Sequence, residues 1–405
     1  MTTESVRMHS THQIAPWRAT LSGLCATLVG IGLARFAYTP LIPVLIAAQW
    51  FTAAQADYLG AANLAGYLVG ALMARPLASR IGTARALRLM MLLAAAAFFG
   101  CAAPLSFAWF FCWRFSAGIA GGVLMVLAAP AVLARVPMSC RGLAGGAIFT
   151  GVGLGIAASG TLVPLLLRAG LVETWVGLGA LALALTVLAW GGWPPDSAAG
   201  TNNQSPRGAR RPDPVLIALY VEYALNAVGQ VAHMVFLVDF MVRGLGRGLA
   251  AGALSWVLFG FGAMVGPSLT GALADRVGFR TALRLAFLIQ SLFVGVLAVT
   301  ADAAWLFASS IVIGAFVPGV VPLALGRVHD LVTDAPERAA GWRAATIAFA
   351  IGQAAGAYAY SYLFDRTGSY LPLFALAAGA LVLALAIDLV VASRGARMPA
   401  VGRAD

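Results

Sequence analysis

Two arginines lie inside long apolar runs of the sequence, where a permanent charge is rare. Arg35 lies in GIGLARFAYTPL, and Arg114 lies in WFFCWRFSAGIAGG. A charge deep in a bilayer costs at least about 2.5–3.5 kcal/mol, so we expect both side chains to face the protein interior. Guanidinium groups bind carboxylates through paired hydrogen bonds, which predicts recognition of a small organic anion. The alternatives are that Arg35 reaches the outer interface and that Arg114 only binds backbone carbonyls.

A polar stripe follows one face of the apolar run 214–240. Glu222, Asn226, Gln230 and His233 are separated by steps of four, four and three residues, which places them on one helical face. Glu222 is expected to bind and release a proton, because a carboxyl in a low dielectric favours its neutral form. His233 is expected to titrate or to bind substrate. The alternative is a set of interhelical hydrogen bonds, worth about 0.6 kcal/mol each.

Other polar residues are weaker candidates for a cavity wall. Asn63 and Tyr67 lie four residues apart, and Thr346 and Gln353 lie seven apart, so each pair shares a helical face. Simple packing is the alternative for each. Asp239 with Arg243 is interpreted as an ordinary outer-face charge pair.

Covalent chemistry has little support in the sequence. The chain contains neither a His-Glu-x-x-His pattern nor a phosphate-binding P-loop, and its four cysteines have no metal-ligand spacing. We therefore expect no enzymatic activity, no cofactor and no metal.

The composition indicates what kind of structural elements position these residues. The 405 residues are 61% hydrophobic and only 10% charged, against about 25% charged in soluble domains, and the mean hydropathy is +0.89. Soluble enzymes, disordered chains and fibrous proteins are excluded. The net charge of +11 is better explained by basic residues on the cytoplasmic side of a membrane protein than by nucleic-acid binding. Membrane lipid is the expected surrounding.

Twelve apolar runs are long enough to cross a bilayer as helices, and their continuity argues against barrel strands. They lie near 18–46, 57–80, 86–103, 107–133, 142–168, 172–192, 214–240, 249–274, 281–299, 304–325, 340–363 and 370–392. The expected fold is therefore an all-α polytopic membrane protein. Its predicted parts are a cytoplasmic segment 1–17, a six-helix half 18–192, a polar linker 193–213, a second six-helix half 214–392 and a tail 393–405.

The arginines predict the orientation of these helices. With both termini in the cytoplasm, Arg168, Arg243, Arg247 and Arg366 face outward, Arg35 and Arg114 lie within helices, and the other twenty of the 26 basic residues face inward. This asymmetry is typical of inner-membrane proteins.

An internal repeat relates the two halves. A single offset of 196 residues aligns Gly66 with Gly262, Gly70 with Gly266, Arg80 with Arg276, Gly82 with Gly278, Gly118 with Gly314 and Gly160 with Gly356. Parallel six-helix repeats are typical of transporters whose halves rock about a site near the bilayer midplane.

The loop after the eighth run carries a recognisable motif. Its sequence GALADRVGFRTALR supplies Gly271, Asp275, Arg276, Gly278 and Arg280, and it resembles the Gly-x-x-x-Asp-Arg-x-Gly-Arg signature of the major facilitator superfamily. The copy after the second run, RPLASRIGTARALR, keeps Arg80 but has Ser79 in place of the acid. An acid and an arginine at a helix end are expected to form a gating latch. The alternative is a plain positively charged loop.

Three segments narrow the resemblance to one family. GIGLARFAYTPLIPVL at 30–45, with Arg35 and Tyr38, NLAGYLVGAL at 63–72 and HMVFLVDF at 233–240 are similar to the YbfB/YjiJ family of that superfamily. The resemblance implies a proton-linked or facilitative carrier in a bacterial inner membrane. The fifth run departs from the Gly-Pro signature of drug:proton antiporters, with Gly155-Ile156 at that point.

The sequence therefore predicts a secondary active transporter that works by alternating access, with a proton as coupling ion. A small carboxylate is the favoured solute, and the chain is expected to act as a monomer. Efflux of drug-like or aromatic compounds is the first alternative. A transporter-like sensor is the second, since the first loop motif is weakened.

Overall fold

The computed structural model describes residues 15–137, 140–194 and 213–397. These residues form twelve helical elements and no strand, which confirms the predicted fold class. The elements are α1 Pro16–Ala47, α2 Ala53–Ile81, α3 Thr83–Cys101, α4 Phe107–Leu133, α5 Arg141–Leu166, α6 Leu171–Ala189, α7 Pro214–Gly244, α8 Gly248–Val277, α9 Phe279–Ala298, α10 Ala303–Leu331, α11 Ala335–Thr367 and α12 Leu371–Arg397.

The predicted linker 193–213 and the predicted terminal segments lie largely outside the described residues, and their limits stay predictions.

We call the two ends of the helix bundle the linker end and the far end. The linker end is where α1 begins, α6 ends and α7 begins, and the far end is the opposite one. The linker end is the one that the arginine count predicts to face the cytoplasm.

Two of the twelve helices are less apolar than the rest. Ten elements are long and apolar enough to cross a membrane, whereas α2 and α11 are not among them. Both are long, with 29 and 33 residues, and they pack against each other between the two halves. Because each covers the other, they tolerate polar residues that a helix surrounded by lipid does not.

The first helix is broken at the depth of Arg35. A π-helical turn, Leu28–Leu33, precedes this residue and a 3-10 segment, Phe36–Leu41, follows it. Pro40 lies within the 3-10 segment and Pro43 just beyond it, and each removes a backbone donor and crowds the preceding turn. Irregular backbone at membrane depth is tolerated where it is buried in protein or lines a cavity. The predicted single helix over 18–46 did not include this break.

The 196-residue repeat is visible in the helix crossings. A Cβ atom on Gly118 of α4 would collide with the backbone oxygen of Asn63 in α2. A Cβ atom on Gly314 of α10 would collide in the same way with the backbone oxygen of Phe259 in α8. The two pairs are related by the offset found in the sequence, so the halves use the same close crossing.

This crossing gives a test of packing. Gly118→Ala is expected to destabilise the protein by about 1–3 kcal/mol, because the added methyl group must push two backbones apart. Gly314→Ala should behave alike. Gly379→Ala in α12 is the matched control, since its Cβ would meet nothing within 4 Å. Thermal unfolding of purified protein in detergent measures the difference, and equal melting temperatures for Gly118→Ala and Gly379→Ala would contradict the assignment.

The two halves contact each other closely from the middle of α5 and α8 toward the far end. Along α5 and α8, Gly153 and Gly260 approach the opposite helix so closely that an added Cβ would collide with it. Nearer the linker end, Gly146 and Gly271 on the same two helices would meet nothing within 4 Å. The structure is therefore a conformation closed at the far end, as alternating access requires for one of its states.

Candidate functional site

A small cavity of about 20 Å³, enough for one or two water molecules, lies between the halves, on the far-end side of the break in α1. Three helices of the first half, α1, α2 and α4, and one helix of the second half, α7, supply its wall. The lining residues are Arg35, Phe36, Tyr38, Thr39, Ile42, Gly60, Asn63, Leu64, Arg114, Met234 and Val235. The structure thus brings together four of the residues selected from the sequence, namely Arg35, Tyr38, Asn63 and Arg114.

Arg35 enters the cavity with few partners. Its guanidinium carbon lies 5.2 Å from the ring centres of both Phe36 and Tyr67, so Tyr67 also belongs to the site. Its Nη2 has only a weak contact, 3.9 Å from the sulfur of Met234. Its Nε has no hydrogen-bond partner among the described residues. The group is held by aromatic faces, and its donors remain available to a ligand.

Arg114, unlike Arg35, forms a strong hydrogen bond with the protein backbone. Its Nη1 donates a 2.7 Å hydrogen bond to the backbone oxygen of Ala34, which lies at the break in α1. Its guanidinium carbon lies 4.2 Å from the ring centre of Tyr38. The side chain is only 3% exposed, and its Nε has no partner among the described residues. Arg114 therefore supports the broken helix as well as lining the cavity.

Asn63 connects α2 to the same region. Its amide Nδ2 donates a 3.1 Å hydrogen bond to the backbone oxygen of Arg114. Its Oδ1 has no partner among the described residues. Asn63 thus contributes an open acceptor beside the two guanidinium groups.

The electrostatics of the cavity are unbalanced. In the described parts of the chain, the ion pairs join Asp239 to Arg243, Asp388 to Arg280 and Arg284, and Asp330 to Arg327. Neither Arg35 nor Arg114 has a carboxylate within 4.0 Å in that part of the protein. Two positive charges at membrane depth therefore lack a protein counter-ion, which favours an anionic ligand.

The second half contributes an apolar wall. Met234 and Val235 of α7 face the cavity, and Thr39 holds this segment with a 2.6 Å hydrogen bond from its hydroxyl to the Met234 backbone oxygen. Gln353 of α11 lies behind the wall, with its Nε2 3.8 Å from the Met234 sulfur. Both charges thus come from the first half of the protein, whereas the second half contributes only apolar side chains to the lining.

The polar stripe of α7 faces its own half. Gln290 of α9 donates to Asn226 Oδ1 at 3.0 Å and accepts from Gln230 Nε2 at 3.0 Å. His233 Nε2 lies 2.8 Å from the hydroxyl of Ser309 in α10. None of the three stripe residues lines the cavity described above. Their hydrogen bonds are of the kind expected from the interhelical alternative.

Glu222, the fourth member of the stripe, lies one turn or more closer to the linker end. It is 4% exposed and forms no ion pair within the described ranges. The structure does not bring Glu222 to the cavity, and its predicted proton-binding role stays a prediction.

The loops at the linker end have the same backbone geometry in both halves. Gly82 after α2 and Gly278 after α8 have φ values of 86° and 79°, a left-handed conformation that favours glycine. Each N–H binds the carbonyl four residues earlier. The repeat therefore extends from the helix crossings to the loops.

Only some residues of the expected latch form ion pairs. Arg280 Nε donates to Asp388 Oδ1 of α12 at 3.2 Å, and Arg284 donates to the other carboxylate oxygen. Asp275 forms no ion pair among the described residues. It is exposed, as are Arg80 and Arg276. Sequence reasoning missed Asp388 as the acid, although an acid within an apolar helix was a usable signal. The gating role of this loop, including Gly271, stays a prediction.

The interpretation of Asp239 as an ordinary surface charge needs correction. Asp239 does contact Arg243, at 3.4 Å, but it is 0% exposed and accepts a 2.5 Å hydrogen bond from the Tyr370 hydroxyl. Tyr370 lies 131 residues away along the chain, so local spacing could not reveal this burial.

Comparison with known proteins identifies the family. The family described as "Uncharacterised MFS-type transporter YbfB" matches residues 27–389. A search of the curated proteins finds no match. Among solved structures, a D-xylose–proton symporter superposes with a TM-score of 0.71 at 17% identity, covering 92% of this chain and 96% of its own. A mutant of the nucleoside transporter NupG gives 0.75 at 13% identity, covering 92% and 99%. These two likenesses show the fold.

Proposed function

The chain belongs to the YbfB family of major facilitator superfamily transporters, and from that premise we propose that it moves a small organic anion across the bacterial inner membrane by proton-linked alternating access. The observation that carries this proposal is the cavity with two guanidinium groups and no carboxylate partner among the described residues. Arg35 supplies free donors at the cavity surface, and Arg114 supplies a second positive charge close behind.

The cavity also suggests the shape of the solute. The arginines, Tyr38 and Asn63 form a polar wall, whereas Met234, Val235, Ile42 and Leu64 form an apolar one. A carboxylate with a compact apolar body matches both walls, because the charged end binds the arginines and the body replaces water at the apolar side. A sugar-like solute would leave the guanidinium groups without a counter-ion.

Proton coupling is proposed from the acids inside the helices. An anion that enters with a proton crosses the membrane potential without net charge, and a buried carboxyl group can carry that proton. Glu222 is the acid that the sequence selects for this role. The positive-inside distribution of arginine supports an orientation with both termini in the cytoplasm, and we propose a monomer without enzymatic activity.

A thermal-shift screen of purified protein tests the proposal directly. The library contains small carboxylates, sugars, amino acids and lipophilic cations, each at pH 5.5 and pH 7.5. A carboxylate at about 100 times its dissociation constant should stabilise the protein by roughly 2.7 kcal/mol. Positive ligands are then followed by uptake into proteoliposomes, with and without a pH gradient.

Two other results would redirect the proposal. Stabilisation by bulky aromatic or cationic compounds, unchanged in arginine variants, would favour efflux, which the rings of Phe36, Tyr38 and Tyr67 around the cavity could also serve. Carboxylate binding without uptake would favour the sensor alternative.

A further inference from the structure

Two buried carboxyl groups lie at the far end, one in each half of the protein. Asp57 lies near the start of α2, and Asp239 lies near the end of α7. The two helices run in opposite directions and approach each other where a Cβ on Gly60 would lie 3.4 Å from Val235. Asp57 and Asp239 are each about one turn further out from this contact, so they lie within the closed interface.

Asp57 has no hydrogen-bond partner in this interface. Its side chain is 0% exposed, and neither of its carboxyl oxygens has a donor among the described residues. Asp239 is equally buried, but its Oδ2 accepts hydrogen bonds from the Tyr370 hydroxyl at 2.5 Å and from Arg243 Nη1 at 3.4 Å. The protein therefore supports a negative charge on Asp239 and gives no such support to Asp57.

The surrounding charges make an ionised Asp57 still less favourable. The charged groups that act on it are Asp239 and Arg243 of α7 and the exposed Asp365 of α11. The phenols of Tyr38, Tyr58 and Tyr370 also interact electrostatically with this cluster. Arg243, the one positive charge among these groups, contacts Asp239, so it is already paired. A second carboxylate buried beside the first, without a donor, is strongly disfavoured.

We propose that Asp57 is a proton-binding site that must be filled before the far end can close. When the halves separate at this end, water reaches the carboxylate and solvates it. When they close, the carboxylate binds one proton from the far-side water and enters the interface as a neutral carboxyl group. The proton returns to the same side on reopening. This site goes beyond the proposed function, because it sets the conformational equilibrium whether or not a solute is bound.

Distance measurements between spin labels at the far end test this proposal without any substrate. Leu105→Cys and Val299→Cys place labels on the far-end loops of the two halves, at residues 70% and 82% exposed. The exposed thiols Cys112 and Cys140 are replaced by serine, and the protein is studied in nanodiscs from pH 5.5 to pH 8.5. The open-to-closed ratio should rise with pH, by up to about tenfold per pH unit for linkage to one proton.

Two substitutions test whether Asp57 causes this pH dependence. Asp57→Asn should stay closed over the whole range and lose the pH dependence, because the amide is neutral at every pH. Asp365→Asn is the matched control, since it removes an exposed acid near the same interface and should keep the wild-type response.

Three outcomes would overturn the proposal: a wild-type distance independent of pH, a pH response retained in Asp57→Asn, or a response to sodium at constant pH in place of protons. If Asp57→Asn does not fold, the pH dependence of the wild-type distance still tests the proposal by itself. A failed carboxylate screen would leave these distances unaffected, so the two proposals fail separately.

Discussion

Arg35→Gln is expected to abolish binding of the anionic solute while leaving the ligand-free protein about as stable as the wild type. In the ligand-free structure, this guanidinium has two aromatic neighbours and one weak contact to sulfur, so little stabilisation is lost. In the complex it would pair with the solute, and removing one member of a buried charge pair costs about 2–5 kcal/mol. The dissociation constant should therefore rise by at least about 30-fold.

Isothermal titration of the stabilising carboxylate measures this change, together with the melting temperature of each ligand-free variant. Arg35→Lys should recover only part of the affinity, because lysine keeps the charge but not the paired hydrogen bonds. Arg168→Gln removes an exposed arginine from the same half and should bind as the wild type does. Wild-type affinity in Arg35→Gln would remove this residue from the binding site and leave it a structural part of α1.

The fold could be predicted from the sequence because its main signals are local or periodic. Apolar length gives the helices, and the Gly118 and Gly314 pair gives the repeat, since close helix crossings require a missing side chain at equivalent places. The break at Arg35 was not predictable in the same way. Proline is common in membrane helices, and whether Pro40 and Pro43 bend or interrupt α1 depends on the partners that satisfy the freed carbonyls. At the break itself, Arg114 of α4, which is distant along the chain, donates to the backbone oxygen of Ala34.

The site was only partly predictable for a related reason. The spacing of Asn226, Gln230 and His233 shows that they share a face, but it cannot show which helix covers that face. The answer depends on Gln290 and Ser309, isolated polar residues that carry no signal on their own. Arg35 and Arg114 were found because a charge in an apolar run requires an explanation whatever its neighbours are.

Arg114→Gln is expected to differ from Arg35→Gln by destabilising the ligand-free protein. The substitution removes the charge-assisted hydrogen bond to Ala34 and leaves a backbone carbonyl of the broken helix without its donor. An unsatisfied buried group of this kind costs about 1–3 kcal/mol, so the melting temperature should fall where that of Arg35→Gln does not. Equal melting temperatures for the two variants would contradict the supporting role of Arg114.

The double variant tests whether the two arginines act together or independently. If both guanidinium groups contact the same carboxylate, the loss of affinity in Arg35→Gln/Arg114→Gln should be smaller than the sum of the single losses, because either substitution already disrupts the shared contact. If the two arginines contribute to affinity independently, the two losses should add. The structure favours the first result, because both side chains line one cavity and neither has an acidic partner among the described residues.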